Sequence, residues 1–392
     1  MIREFEEKFA EYIGTKYAIC MTSGRYALYL LYTHFRCRDK KVILPAYTCI
    51  PAIDAARWAG AEPKFLDISL EDYNPVFDPA ISRWQNIGAI CLSYLYGLIG
   101  DLDPLLEFAR VRQIPIIEDA AIALGGQYRN KKVGSLGDAA VFSLQSSKIL
   151  TSWKGGIITT NDESLYSFLY QERERLPKPS AAKLLMNIFT TYMRSFFAKP
   201  AIYSLTFFPL KRIVFSRPFS RLFQAVIDQN PTEALSGESS EFLPYYETLR
   251  YSNIQAAMAR ASFEKIDTII QKRRTLANFL NRELSGIDII KIPAENENVK
   301  HAYGRYPIRI SGFSKYTIEK YLSKYGIETA LNYPYICPQT PFLKKFDVGS
   351  GHYPHAAVAS QETILLPFHT RLDEQDIHRI SLVIKAFADL HN

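Results

Sequence analysis

Short apolar runs closed by glycine or polar residues alternate with amphipathic stretches through the first 160 residues. The runs fall at 42–44, 63–67, 87–93, 114–117, 139–144 and 157–160. Runs of that length between turn signals predict buried strands. Helical spacing fills the intervals at 1–14, around Ala27, Leu30, Leu31 and Phe35, and at 51–59, 103–112 and 162–175. Strand and helix in regular alternation predict an α/β architecture with a mainly parallel, doubly wound sheet. A second pattern begins near residue 241. Residues 251–284 carry one long helical periodicity, 302–310 read as a strand, and 315–325 and 373–390 as helices, the last preceded by the apolar run 364–368. The chain is therefore divided into a large domain, 1–240, and a small α+β domain, 241–392.

Chemistry in open α/β sheets gathers at the carboxyl ends of the strands. The 114–117 run ends in Glu118-Asp119, and the 139–144 run leads through Ser143 to Lys148 before Gly155-Gly156 opens the next strand. Asp119 and Lys148 are thus expected at one edge of the sheet. Ser23-Gly24 stands where a helix begins, and a helix N-terminus offers free N–H groups to a phosphate.

These elements recur in a fixed order and spacing. Glu118-Asp119-Ala120-Ala121, the turn Gly134 to Asp138, Phe142-Ser143, Lys148 five residues on, and Gly155-Gly156 together resemble the DegT/DnrJ/EryC1/StrS sugar aminotransferases. Ile254 to Ala257, Gly326-Ile327-Glu328-Thr329, Tyr333-Pro334 and Leu366-Pro367 extend the resemblance over nearly the whole chain outside about 176–240. It implies a pyridoxal-phosphate (PLP) enzyme of transferase fold type I. Lys148 would hold the cofactor covalently and shuttle a proton, and Asp119 would keep the pyridine nitrogen protonated. Ser23, Gly24, Arg25 and Ser143 would hold the phosphate. The implied reaction moves an amino group from an amino acid, glutamate foremost, to a nucleotide-linked keto sugar for surface polysaccharide or secondary-metabolite synthesis. A homodimer is implied too, with Thr248 and Arg250 reaching the partner's phosphate.

The chain departs from the family pattern at several positions near the cofactor. Thr48 is followed by Cys49 where an aromatic residue normally stacks on the ring, so either Tyr47 takes that place or the ring packs differently. Ile122 stands where a polar Gln or His is usual, Arg25 replaces Thr in Ser-Gly-Thr, and Thr248 replaces Asn. The histidine that usually follows Tyr-Pro has no match around Ile336-Cys337-Pro338. Two alternatives stand beside the aminotransferase: another PLP-dependent sugar reaction, which Lys148 argues against, and a non-enzymatic regulatory protein on the same fold, which the retained Asp119 and Lys148 oppose.

Composition changes this picture at one place. The net charge is +7, yet residues 176–227 alone hold eight bases and no acid, so the remainder is near neutral and a general nucleic-acid role does not follow. That segment also carries ten aromatic residues interrupted by prolines. Two readings apply to it: packing or dimer contacts, and weak peripheral contact with an anionic membrane. The five cysteines form no CxxC pair or metal-ligand spacing, which predicts no metal and a reduced, cytoplasmic setting.

Overall fold

The computed structural model describes residues 1–197, 249–344 and 351–391, together with Ile202, Leu205 and Leu243. The alternation read from the sequence is realised as β1 (Tyr17–Met21), β2 (Lys41–Pro45), β3 (Glu62–Leu66), β4 (Ile87–Ser93), β5 (Ile116–Asp119), β8 (Ala139–Ser143) and β9 (Gly156–Thr160). They form one sheet in the order β1-β9-β8-β5-β4-β2-β3. The pairs β3/β2, β2/β4, β4/β5 and β5/β8 are parallel, and β9 runs antiparallel to both its neighbours. The central strands are buried along almost their whole length, as an apolar run without alternation requires. Helices α1 (Ile2–Ile13), α2 (Gly24–His34), α3 (Ile50–Trp58), α4 (Asp103–Arg112) and α5 (Glu163–Arg175) fill the predicted intervals.

A small antiparallel sheet, β10 (Ile290–Lys291), β12 (Tyr306–Ile310) and β13 (Thr363–Leu366), lies in the C-terminal part. It is joined by helices Lys315–Lys324, Pro354–Glu362 and Glu374–Asp389. The strand β11 (Val299–Lys300) pairs instead with β6 (Gln127–Tyr128), which pairs with β7 (Lys131–Lys132).

Two expectations are corrected. The periodicity over 251–284 is two helices, Asn253–Phe263 and Ile266–Leu284, parted at Glu264 and Lys265. No glycine or proline marks that break, and the apolar spacing runs on through it. The first of these helices packs on α1, where Phe263 meets the Phe5 and Phe9 rings at 5.8 and 5.5 Å. The strand expected over 302–310 begins only at Tyr306. Before it, Tyr303 takes φ 48°, and the backbone turns aside to bond the 96–97 turn. Ala302 N donates to Gly97 O at 2.8 Å and Arg305 N to Tyr96 O at 2.9 Å.

Helix α6 (Ala181–Phe197) occupies the start of the basic segment and runs unbroken between Pro179 and Pro200. The remainder of that segment apart from Ile202 and Leu205, and Thr248 with it, lie outside the described residues.

Candidate active site

The carboxyl ends of β4, β5 and β8 meet at Asp119. The β5 strand brings Glu118 and Asp119 in succession, and alternation sends their side chains to opposite faces. Glu118 is fully buried and accepts from Tyr94 Oη (2.9 Å) and from the backbone N–H groups of Gly134 (2.9 Å), Leu136 (2.8 Å) and Gly137 (2.9 Å). It therefore anchors the turn between β7 and β8. Among the described residues the Asp119 carboxylate accepts from Ala121 N (3.2 Å) and Ser93 Oγ (3.3 Å). Ser93 is in turn 2.9 Å from Thr48 Oγ1. Burial raises the Asp119 carboxyl above the usual aspartate range, opposed by the Ala121 N–H, Lys148 and Ser93.

Lys148 lies in the loop joining β8 to β9, the one reversal of direction among these central strands. Its amide donates to Gln145 O at 3.0 Å. Burial lowers the Lys148 amine; Cys49 and Asp119 pull it back up and Arg305 pushes it down. Lys148 and Asp119 thus act on one another without forming an ion pair among the described residues. Burial pushes the Cys49 thiol up to about 11, against the fields of Lys148 and Arg25.

The opposite end of the site is built by α2. Ser23 caps the helix, its Oγ accepting from Tyr26 N at 3.1 Å. Gly24 packs against Val141 and Ser143 of β8. Gly156 crosses directly over this helix start: a β-carbon there would lie 2.7 Å from Gly24 N and from Ser23 C. The cradle at the α2 N-terminus is consequently lined by backbone, which suits an anion. Arg25 is buried and lies over the Trp58 ring at 5.6 Å.

Of the residues named from the sequence, Ser23, Gly24, Ser143, Asp119, Lys148, Thr48 and Cys49 are thus linked directly or in short steps. Tyr47 is fully buried, its hydroxyl is 2.9 Å from Tyr96 Oη, and its ring packs on Tyr73 and Tyr333. Cys49, at the next position but one, acts on Lys148 through its field, as Asp119 and Arg305 do. Ile122 packs against the backbone of Gly304, where a β-carbon would stand 2.2 Å from Ile122 O. Arg250 is held by an ion pair with Glu174, and its amide donates to Pro177 O at 2.9 Å. Its neighbour Leu249 nevertheless accepts from the Thr22 hydroxyl, one residue before the α2 cap.

Two residues escaped the sequence reading. Ser93 ends its apolar run as Asp119 ends the next, a positional signal that was there to use. Arg305 had no signal, because the run around it reads as an ordinary strand. The structure makes it a largely enclosed guanidinium whose pKa burial lowers, with a weak contact to Gly304 O (3.4 Å) and no carboxylate in ion-pair range among the described residues. Tyr96, Tyr303 and Tyr333, around the same side, hold φ of 62°, 48° and 49°. Positive φ in bulky residues is costly and gathers at functional sites.

An acid at a strand end, an enclosed amine opposite and a backbone cradle for an anion define the site of a cofactor-dependent α/β enzyme. The residues fit PLP: the α2 cradle for its phosphate, Asp119 for its ring nitrogen and Lys148 for its aldehyde carbon. The chain belongs to the DegT/DnrJ/EryC1/StrS aminotransferase family, whose sequence profile matches residues 1–174 and 245–385. It is 29% identical over 389 residues to GDP-perosamine synthase of Caulobacter vibrioides, covering 97% of this chain and 88% of that one. It is 35% identical over 169 residues to UDP-4-amino-4,6-dideoxy-N-acetyl-beta-L-altrosamine transaminase of Campylobacter jejuni, covering 42% and 45%. In fold it is similar to a Streptococcus pneumoniae protein solved in its PMP form, with a TM-score of 0.76, 20% identity, and coverage of 99% of this chain and 92% of that one. The chain is a PLP-dependent sugar aminotransferase.

Proposed function

We propose that this chain transfers an amino group from an amino acid, glutamate in our reading, to a keto sugar carried by a nucleotide. The amino sugar would serve surface polysaccharide or secondary-metabolite synthesis. The observation that carries the reading is the convergence of Lys148, Asp119 and the α2 N-terminus, in a chain whose relatives include a GDP-sugar and a UDP-sugar enzyme by name.

When bound, PLP supplies an electron sink that lets a carbon bearing the amino group give up its proton. Asp119 holds the negative charge that keeps the ring nitrogen protonated. Ser23, Gly24 and Ser143 bind the phosphate through hydroxyls and the backbone at the α2 N-terminus, and Arg25 adds positive charge. Lys148 takes a proton from one carbon and returns it to another. Its lowered pKa leaves more of the amine as free base near neutrality, which favours that exchange. Arg305 supports entry of anionic substrate groups on this side, a carboxylate or diphosphate, through charge-assisted bonds.

In the same proposal the enzyme works in the cytoplasm as a homodimer, the commonest closed assembly. Thr248 and Arg250 would complete the partner's phosphate site, which requires Arg250 to exchange Glu174 for that phosphate. The test is incubation with 15N-glutamate and a panel of keto sugars on UDP, GDP and dTDP. The label should appear in the sugar product by mass spectrometry. Failure with every sugar, while 15N still passes from glutamate to added 13C-labelled 2-oxoglutarate, would overturn the substrate class.

A further inference from the structure

Two arginines meet beside the site. Arg305 leads into β12, and Arg273 lies on the helix Ile266–Leu284. Burial lowers both guanidiniums, and the charge of Arg305 helps to bring Arg273 down to about 10. Neither is paired with a carboxylate among the described residues. Like charges enclosed together without a counter-ion are costly, so an anion entering beside them is favoured.

The two side chains are placed differently. Arg273 is buried. Its Nη1 donates to Tyr303 O at 2.8 Å and reaches Gly304 O at 3.5 Å, and its guanidinium lies over the Phe368 ring at 5.5 Å. It is committed to the turn at Tyr303. Arg305 is held through its backbone, its N–H donating to Tyr96 O at 2.9 Å. Its side chain has only the weak contact to Gly304 O at 3.4 Å. Arg305 is also only partly covered, so its guanidinium is the one that an anion can reach.

Position decides which anion. Gly304, the residue before Arg305, packs against Ile122, three residues after Asp119. The turn at Tyr96 that holds the Arg305 backbone comes three residues after Ser93, which bonds Asp119. Arg305 therefore stands at the level of the reacting centre, and its charge is felt by Lys148. In an amino acid the α-carboxylate is bonded to the carbon that reacts. In a nucleotide sugar the anomeric oxygen and at least one ring carbon separate the diphosphate from the keto carbon. A single planar guanidinium also matches a single carboxylate, through two parallel N–H···O bonds.

We propose that Arg305 recognises the α-carboxylate of the amino donor, and that Arg273 is the positioning residue that holds its turn. This rests on the aminotransferase reading above and narrows it: the donor is an α-amino acid, and the sugar's diphosphate is met elsewhere.

The test is binding of two stable adducts, N-(5′-phosphopyridoxyl)-L-glutamate and N-(5′-phosphopyridoxyl)-4-aminobutyrate, to the full chain freed of PLP. Both carry the ring, the phosphate and the distal carboxylate, and only the first has the α-carboxylate. Wild type should bind the first at least about ten-fold more tightly. Arg305→Gln should bind both alike, at the wild-type affinity for the second. No preference in wild type, or a preference unchanged in Arg305→Gln, overturns the proposal. Should Arg305→Gln bind neither adduct, Arg305→Lys decides: it keeps the charge and loses the fork, so it should bind the second adduct normally and lose part of the preference, and a full preference overturns the proposal. On the PLP-loaded enzyme, the absorbance change caused by L-glutamate should slow at least about ten-fold in Arg305→Gln, while the reverse change caused by a keto sugar nucleotide keeps its rate. The opposite pattern would give Arg305 to the diphosphate and overturn the proposal. A glutamate step that depends on Arg305, with no keto sugar accepted, would overturn the sugar substrate class and uphold this assignment.

Discussion

Replacing Glu118 by glutamine separates the work of two adjacent acids. The Glu118 carboxylate accepts four hydrogen bonds, from Tyr94 Oη and from the N–H groups of Gly134, Leu136 and Gly137. A glutamine amide has one acceptor oxygen. If it serves Leu136 and Gly137, the amide nitrogen faces Tyr94 and Gly134. The tyrosine hydroxyl can rotate and accept, but the Gly134 N–H cannot, and a buried donor without a partner costs about 1–3 kcal/mol. The remaining bonds also lose their charge-assisted character. Relief of carboxylate burial, which raises the Glu118 pKa, offsets part of this, so the expected net loss is about 2 kcal/mol. Turnover per folded molecule should remain within about three-fold of wild type, because no atom of Glu118 touches the site. Asp119→Asn should behave inversely, with stability nearly kept and turnover lowered by at least about a hundred-fold, as for loss of an essential ionisable group. Urea denaturation and steady-state turnover on both variants provide the assay. Comparable losses of turnover, or a Glu118→Gln variant that is inactive yet fully stable, would refute the division of labour.

Three further outcomes follow from buried groups. His301 is fully buried, its Nδ1 accepting from Ile99 N at 3.1 Å while Nε2 lies 2.8 Å from Ala294 O, and burial lowers its pKa from 6.5 to about 4. A depressed histidine stabilises the fold when neutral, so stability should fall as pH drops from about 6.5 towards about 4, by about 3 kcal/mol in all; denaturation at pH 7 and pH 5 should differ in wild type and much less in His301→Gln. Gly304→Ala places a methyl 2.2 Å from Ile122 O and should cost about 1–3 kcal/mol or more by overpacking, measured as a lowered denaturation midpoint. Arg305→Gln should raise KM for the substrate whose anion it meets, about ten-fold for a loss of ~1.4 kcal/mol, with KM for the other substrate unmoved; an unchanged KM for both would remove Arg305 from the site.

Much of this architecture could be read from period alone. The strands of the large sheet announce themselves because both of their faces are buried, and their apolar runs end where solvent or chemistry begins. Lys148 and the pair Glu118-Asp119 follow such runs in the same way, but the choice of Asp119 over Glu118 comes from the family resemblance, because the run alone points equally to both acids. What stayed hidden depends on long-range contacts. The break at Glu264 and Lys265 leaves the apolar spacing intact. The turn at Tyr303 is imposed by the Tyr96 and Gly97 carbonyls, some two hundred residues away in sequence. The inward rotation of Tyr47 is set by Tyr73, Tyr96 and Tyr333, which no local pattern joins. The prolines of the basic segment leave room for a helix, and α6 fits its 17 residues into a proline-free interval.

The most direct test of the central claim is to reduce the PLP-loaded enzyme with borohydride, digest it and map the pyridoxyl group by mass spectrometry. The account predicts a single modified peptide carrying the group on Lys148, and no modification when Lys148 is replaced by Ala in an otherwise folded chain. A pyridoxyl group on any other lysine, or none on the wild-type chain, would contradict it.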